Sequence, residues 1–114
     1  MLPKQYRLRK NGDFRKVYRQ GKSVATKYLV LYPKKTKNNE LRIGFSLSKK
    51  IGKAHVRNYY KRCLREILRK YLNRLNIGYD LVFLARVPIS DIGFQELEKN
   101  VVYLLKKSGV WRYE

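Results

Sequence analysis

One histidine, one cysteine and eight carboxylates are the side chains of this 114-residue chain that could run acid–base, nucleophilic or metal chemistry. His55 has no second ligand near it in sequence, so zinc is not indicated. It reads as an exposed residue in a first helical turn. Asp13, Glu40, Glu66, Asp80, Asp91, Glu96, Glu98 and Glu114 are scattered, in neither a metal-binding nor a paired-carboxylate pattern. No Gly-rich loop of the phosphate-cradling kind is present. Ser46 and Ser48 have no base nearby, and Cys63 has cationic neighbours that favour a thiolate but falls on an apolar helix face. Its simplest reading is a small core residue. The chemistry left is binding.

The cations say what would be bound. Twenty-eight Lys and Arg against eight acids give a formal charge of +20. Such an imbalance speaks of partners and not of fold. Nucleic acid leads, and an anionic membrane follows. Residues 54–75 have a helical period. At 100° per residue, Val56, Tyr60, Cys63, Leu64, Ile67, Leu68, Tyr71 and Leu75 share one arc, and Asn58, Lys61, Arg62, Arg65 and Arg69 share the arc beside it. From Lys61 to Arg69 the cationic row spans about 12 Å at 1.5 Å per residue, enough to meet several phosphates. Most charge runs are solvated faces. This row has Glu66 as its one acid, and Lys49, Lys50 and Lys53 add charge at the same end. Arg57 projects toward the apolar arc, so reaching outward requires it to pass the sheet edge.

Aromatic side chains accompany the cations: ten tyrosines and four phenylalanines. Phe14 and Tyr18 lie one helical turn apart, and Tyr28 and Tyr32 lie on one strand face. If the first helix packs beside that sheet, an aromatic groove forms between them. Bases of a single strand stack on such rings at about 1–3 kcal/mol each, with little demand on sequence. Plain core packing is the competing reading, strongest for Phe14 and Val17. The hydroxyls of Tyr18 and Tyr32 need water or a partner, which suits a groove wall.

The elements that must position these side chains follow from periodicity. Residues 1–10 are basic and poor in apolar side chains, a mobile or loosely docked arm. Asn11 is placed to cap a short helix that stops at Gly21, with Asp13 in its first turn and Phe14, Val17 and Tyr18 on one face. Residues 24–32 are rich in strand formers and end at Pro33, with room for a further short strand at 23–27. Asn38 and Asn39 in the polar stretch 34–40 read as a hairpin loop. Residues 41–48 alternate as a half-buried strand, and Gly52 turns the chain into the long helix. That helix ends near Asn76 and Gly78. Residues 79–86 are apolar on both faces, as a central strand is. The last helix carries Phe94, Leu97, Val101, Leu104 and Leu105 on one face and stops at Gly109, before a short tail with Trp111. The expectation is one domain over 1–114, an α+β two-layer sandwich with about four strands in a mixed sheet and three helices.

No run of about 18 apolar residues is present, so no helix is expected to span a bilayer. The first ten residues lack the apolar core of a signal peptide. A single cysteine makes no internal disulfide, and the expectation is a reducing, cytoplasmic location. No helix sets a large apolar face against solvent, which weakens the membrane alternative.

Residues 49–66, KKIGKAHVRNYYKRCLRE, closely resemble the Arg-Asn-Arg signature segment of the bacterial ribonuclease P protein subunit, through Lys49, Lys50, Gly52, Ala54, Arg57, Asn58, Lys61, Arg62 and Arg65. The stretches DFRKVYRQGKSVATKYLVLY and YDLVFLARVP are similar to that family too, in the right order, so the resemblance covers nearly the whole chain. It implies a left-handed strand–helix–strand crossover, against the right-handed rule. It also implies the protein subunit of an endoribonuclease that removes 5′ leaders from precursor tRNA. Catalysis and hydrolytic Mg²⁺ would belong mainly to the RNA subunit, with no organic cofactor and no protein oligomer required. Lys49, Lys50, Lys53, Arg57, Asn58, Lys61, Arg62, Arg65 and Arg69 would bind the RNA subunit. Phe14, Tyr18, Val30 and Tyr32 would line the leader groove. Tyr18 stands where many members carry phenylalanine, which keeps stacking. The alternative is a structural RNA binder of ribosomal type, which needs the helix row and not the groove.

Overall fold

The computed structural model describes residues 2–112; Glu114 lies outside them. Seven main elements run in the order α1 (Asn11–Arg19), β1 (Val24–Ala25), β2 (Leu29–Lys35), β3 (Leu41–Ser46), α2 (Ala54–Tyr71), β4 (Tyr79–Ala85) and α3 (Phe94–Lys107), with short 3-10 turns between them. The expected α+β fold, with four strands and three helices, is the one observed.

The sheet order is β1-β2-β4-β3. β4 pairs antiparallel with β2 and parallel with β3, so α2 is the crossover of a β3–α2–β4 unit. The loop after β2 is therefore not a hairpin loop, because β4 lies between the strands that it joins. The reason is burial: β4 has apolar side chains on both faces, five of its seven residues are buried, and only the middle of a sheet satisfies both faces. Pro33 does not end β2, which continues to Lys35. β1 pairs only with Val30 and Leu31, so beyond them β2 has a free edge where a missing N–H costs nothing.

Side-chain parity divides the sheet. Leu29, Leu31, Ile43, Leu81 and Phe83 join the main core with Leu64, Ile67 and Leu68 of α2 and Leu97, Val101, Leu104 and Leu105 of α3. On the opposite parity, Val82 packs with Val17 of α1 and Leu8, and Phe14, Tyr18 and Tyr32 close around them. Tyr28 is a correction: it packs against the main core and not on the Tyr32 side, since it precedes β2 and its strand alternation.

Two local expectations differ at the N-terminus. Asn11 is the first helical residue of α1; Lys10 is the N-cap and supplies no side-chain cap bond. The basic arm is docked. Leu2 and Leu8 are buried, the Leu8 N–H donates to the Ile43 carbonyl at 2.9 Å, and Arg7 bridges to Ile43 in parallel. Two leucines among cations suffice, because burying each gains about 1.5–3 kcal/mol.

Gly44 in β3 lets α1 approach. A Cβ there would lie 2.5 Å from Phe14 Cζ, closer than atoms can sit. Gly44→Ala is therefore expected to cost about 1–3 kcal/mol through overpacking, read as a lowered midpoint in thermal denaturation. An unchanged midpoint would mean that the Phe14 ring is free to move off the strand.

Candidate nucleic-acid interface

α2 carries its cations because its apolar arc is committed to the core. Tyr60, Cys63, Leu64, Ile67 and Leu68 are buried, so the remaining arc faces outward. Lys49, Lys50, Lys53, Asn58, Arg62 and Arg69 are exposed, and Lys61 and Arg65 are half-buried. Arg57 stays outside the row and is half-buried. Its Nε donates to the Gly52 carbonyl at 3.2 Å, tying the helix start to the turn before it.

Lys61 and Arg65 are half-buried because they reach over the outer edge of β3 toward the N-terminal segment. There a cleft of about 320 Å³ is walled by Arg7, Arg9, Lys61 and Arg65 with Phe14 and Phe45. A neighbouring hollow of about 520 Å³ shares Arg9, Phe14, Phe45 and Lys61 and adds Arg15, Tyr18 and Ser46. No carboxylate lines either one. Burial, and next the charge of Arg7, lower the pKa of the Arg65 guanidinium. Cations crowded in this way favour an anion between them.

The nearby acids are already engaged. Arg42 Nε and Nη2 donate to the two carboxylate oxygens of Asp80 at 3.0 and 2.9 Å, and Arg42 lies 3.5 Å from Asp13. The Asp80 bond is the main cause of the raised pKa of Arg42. Asp13 and Asp80 thus neutralise Arg42 and not the cleft. A hollow of about 550 Å³ between α2 and α3 differs in kind, because Glu98 lines it. Glu98 accepts from Lys70 Nζ at 2.6 Å and from the Tyr71 hydroxyl at 2.5 Å.

The expected aromatic groove is only partly assembled at the cleft. Phe14 lines both hollows, Tyr18 lines the neighbouring one, and Tyr32 meets Tyr18 edge-on, with centroids 4.9 Å apart and planes at 82°. Val30 is half-buried on the same face of β2 and lines neither hollow. Arg7, Arg9 and Phe45 were not foreseen. Leu2 and Leu8 were the available signal for the two arginines, since an apolar pair in a basic arm can anchor it. Phe45 had none: the alternation of residues 41–48 puts it on the core face with Ile43, and its ring does stack on Phe83 with centroids 6.0 Å apart, but it is half-buried on the edge strand.

Among the described residues, no three of His, Cys, Asp and Glu come together to hold a metal ion. No described helix is long and apolar enough to cross a membrane. What the surface offers is a cation-lined cleft with Phe14 and Phe45 among its walls.

The chain is similar to known proteins over nearly its whole length. The family described as Ribonuclease P matches residues 2–109. The ribonuclease P protein component of Clostridium botulinum strain 657 is 46% identical over 109 residues, covering 95% of this chain and 98% of the relative. That of Clostridioides difficile strain 630 is 44% identical over 104 residues, covering 90% and 91%. The solved structure of the Staphylococcus aureus RNase P protein superposes with a TM-score of 0.88 at 34% identity, covering 95% of this chain and 99% of that one.

Proposed function

This chain belongs to the ribonuclease P protein family, a protein component of tRNA processing, and on that premise we propose that it binds two RNAs through two adjoining surfaces. The outward row of α2, with Asn58, Arg62 and Arg69, and the turn cations Lys49, Lys50 and Lys53 grip the RNA subunit. The aromatic groove receives the single-stranded 5′ leader of precursor tRNA. Phe14, Tyr18 and Tyr32 offer rings to bases, and Val30 continues that face of β2. Lys61 and Arg65 stand between the two surfaces and meet phosphates of either.

One observation carries this reading: the cleft walled by Phe14 and Phe45 together with Arg7, Arg9, Lys61 and Arg65, with no carboxylate among its lining residues. A ribosomal-type scaffold would need the helix row alone. The protein contributes binding and orientation. Hydrolysis of the leader phosphodiester, and the Mg²⁺ that assists it, belong to the RNA subunit. Cations that order RNA phosphates lower their mutual repulsion, so the complex works at lower Mg²⁺.

Tyr32→Ala tests the groove. It removes a ring without touching a charge, so the reconstituted complex should lose about 1–3 kcal/mol of precursor tRNA affinity if one base stacks there. Mature tRNA has no leader, and its binding should barely change. The salt dependence should stay constant, and Tyr32→Phe should be mild. Melting must be compared first, because Tyr32 also packs on Tyr18. Equal weakening of precursor and mature tRNA by a folded Tyr32→Ala variant would make Tyr32 a core residue and favour the scaffold reading.

A further inference from the structure

Lys61 and Tyr59 fall about 160° apart around α2, on opposite flanks of Asn58 and Arg62. Lys61 turns to the cleft. Tyr59 stands on the other side, 43% exposed. A lone exposed ring needs no explanation. This one has a fixed seat. It meets Tyr60 edge-on, with centroids 5.0 Å apart and planes at 86°. Tyr60 is buried, and its hydroxyl donates to the Ile92 carbonyl at 2.9 Å.

The surroundings suit a base and its phosphate. His55 and Arg62, one helical turn to either side of Tyr59, wall an open hollow of about 530 Å³ with Val56, Tyr60 and Ser90. No carboxylate lines it. Hydrogen bonding to Cys63 raises the pKa of the Tyr59 phenol.

We propose that Tyr59 is a stacking platform for an unpaired base of the RNA subunit, beside a phosphate held by Arg62. This rests on the assignment of the outward row of α2 to that RNA. A flat ring, seated on a buried neighbour and flanked by cations, recognises a nucleobase face. Arg62 alone would hold a phosphate without ordering the base next to it.

The test measures affinity of the full chain for a bacterial ribonuclease P RNA over a range of salt. Tyr59→Ala should weaken binding roughly 5- to 150-fold, the span of one base–ring stack, with the slope against log salt unchanged. Tyr59→Phe should stay close to the parent. Melting of both variants should match the parent, since the ring is exposed. Tyr59→Ala binding within twofold of the parent would overturn the proposal. So would a Tyr59→Phe loss as large as that of alanine, or an alanine loss seen only with precursor tRNA. A parent protein that ignores the RNA subunit would instead overturn the reading of α2 and this inference with it.

Discussion

Replacing Lys61, Arg62, Arg65 and Arg69 together by alanine is expected to weaken the grip on RNA about a thousandfold at 0.1 M salt. Each phosphate contact releases counterions and contributes about 0.7–0.9 to the slope of log affinity against log salt, so four contacts account for roughly 3. The slope should flatten by that amount. The four side chains do not face one way, and this sharpens the test. Arg62 and Arg69 are exposed, whereas Lys61 and Arg65 bend into the cleft with Arg7 and Arg9. The Arg62/Arg69 pair should account for about half of the slope against the RNA subunit alone. The Lys61/Arg65 pair should act on precursor tRNA as well. Folding should survive, because mutually repelling cations are removed; circular dichroism checks this. An unchanged slope in the quadruple variant would make the row a solvated face.

Without RNA, the protein should leave precursor tRNA intact, and adding the RNA subunit at low Mg²⁺ should produce cleavage at the leader junction. Enzymes accelerate hydrolysis by at least about 10⁶-fold, and that factor should separate the reconstituted complex from protein alone. The physical reason is the state of the titratable groups. Asp13 and Asp80 are engaged by Arg42, and Glu98 is engaged by Lys70 and Tyr71. His55 is exposed on the side of α2 that carries Tyr59, away from the cleft. The described walls of the cleft carry three arginines and a lysine, with no carboxylate or histidine among them. Site-specific cleavage by nuclease-free protein would contradict this division of labour.

The parts of the fold that sequence revealed are those governed by local period. Tyr60, Cys63, Leu64, Ile67 and Leu68 recur at helical spacing and are the buried stripe of α2. The residues of β4 are apolar on both faces, and the strand lies inside the sheet. What stayed hidden depends on partners distant in sequence. Residues 34–40 have hairpin chemistry, yet the preference of β4 for the sheet centre separates β2 from β3. Gly44 reads as one more polar-face residue until Phe14 is placed upon it. Arg57 falls toward the apolar arc on a helical wheel, and there its Nε donates to the Gly52 carbonyl, a partner that only the fold reveals. The candidate site divides in the same way. The row was visible because a helix repeats every 3.6 residues. The contribution of Arg7 and Arg9 was not, because it follows from the arm's docking against Ile43.

The central claim is that the chain adds a leader site to an RNA enzyme. The most direct measurement is precursor tRNA affinity as a function of leader length, with the RNA subunit alone and with the protein added. With the protein, affinity should rise with each leader nucleotide until the groove is filled, then level off. With RNA alone it should stay nearly flat. A protein that raises the affinity for mature tRNA as much as for every precursor, whatever the leader length, would contradict the account.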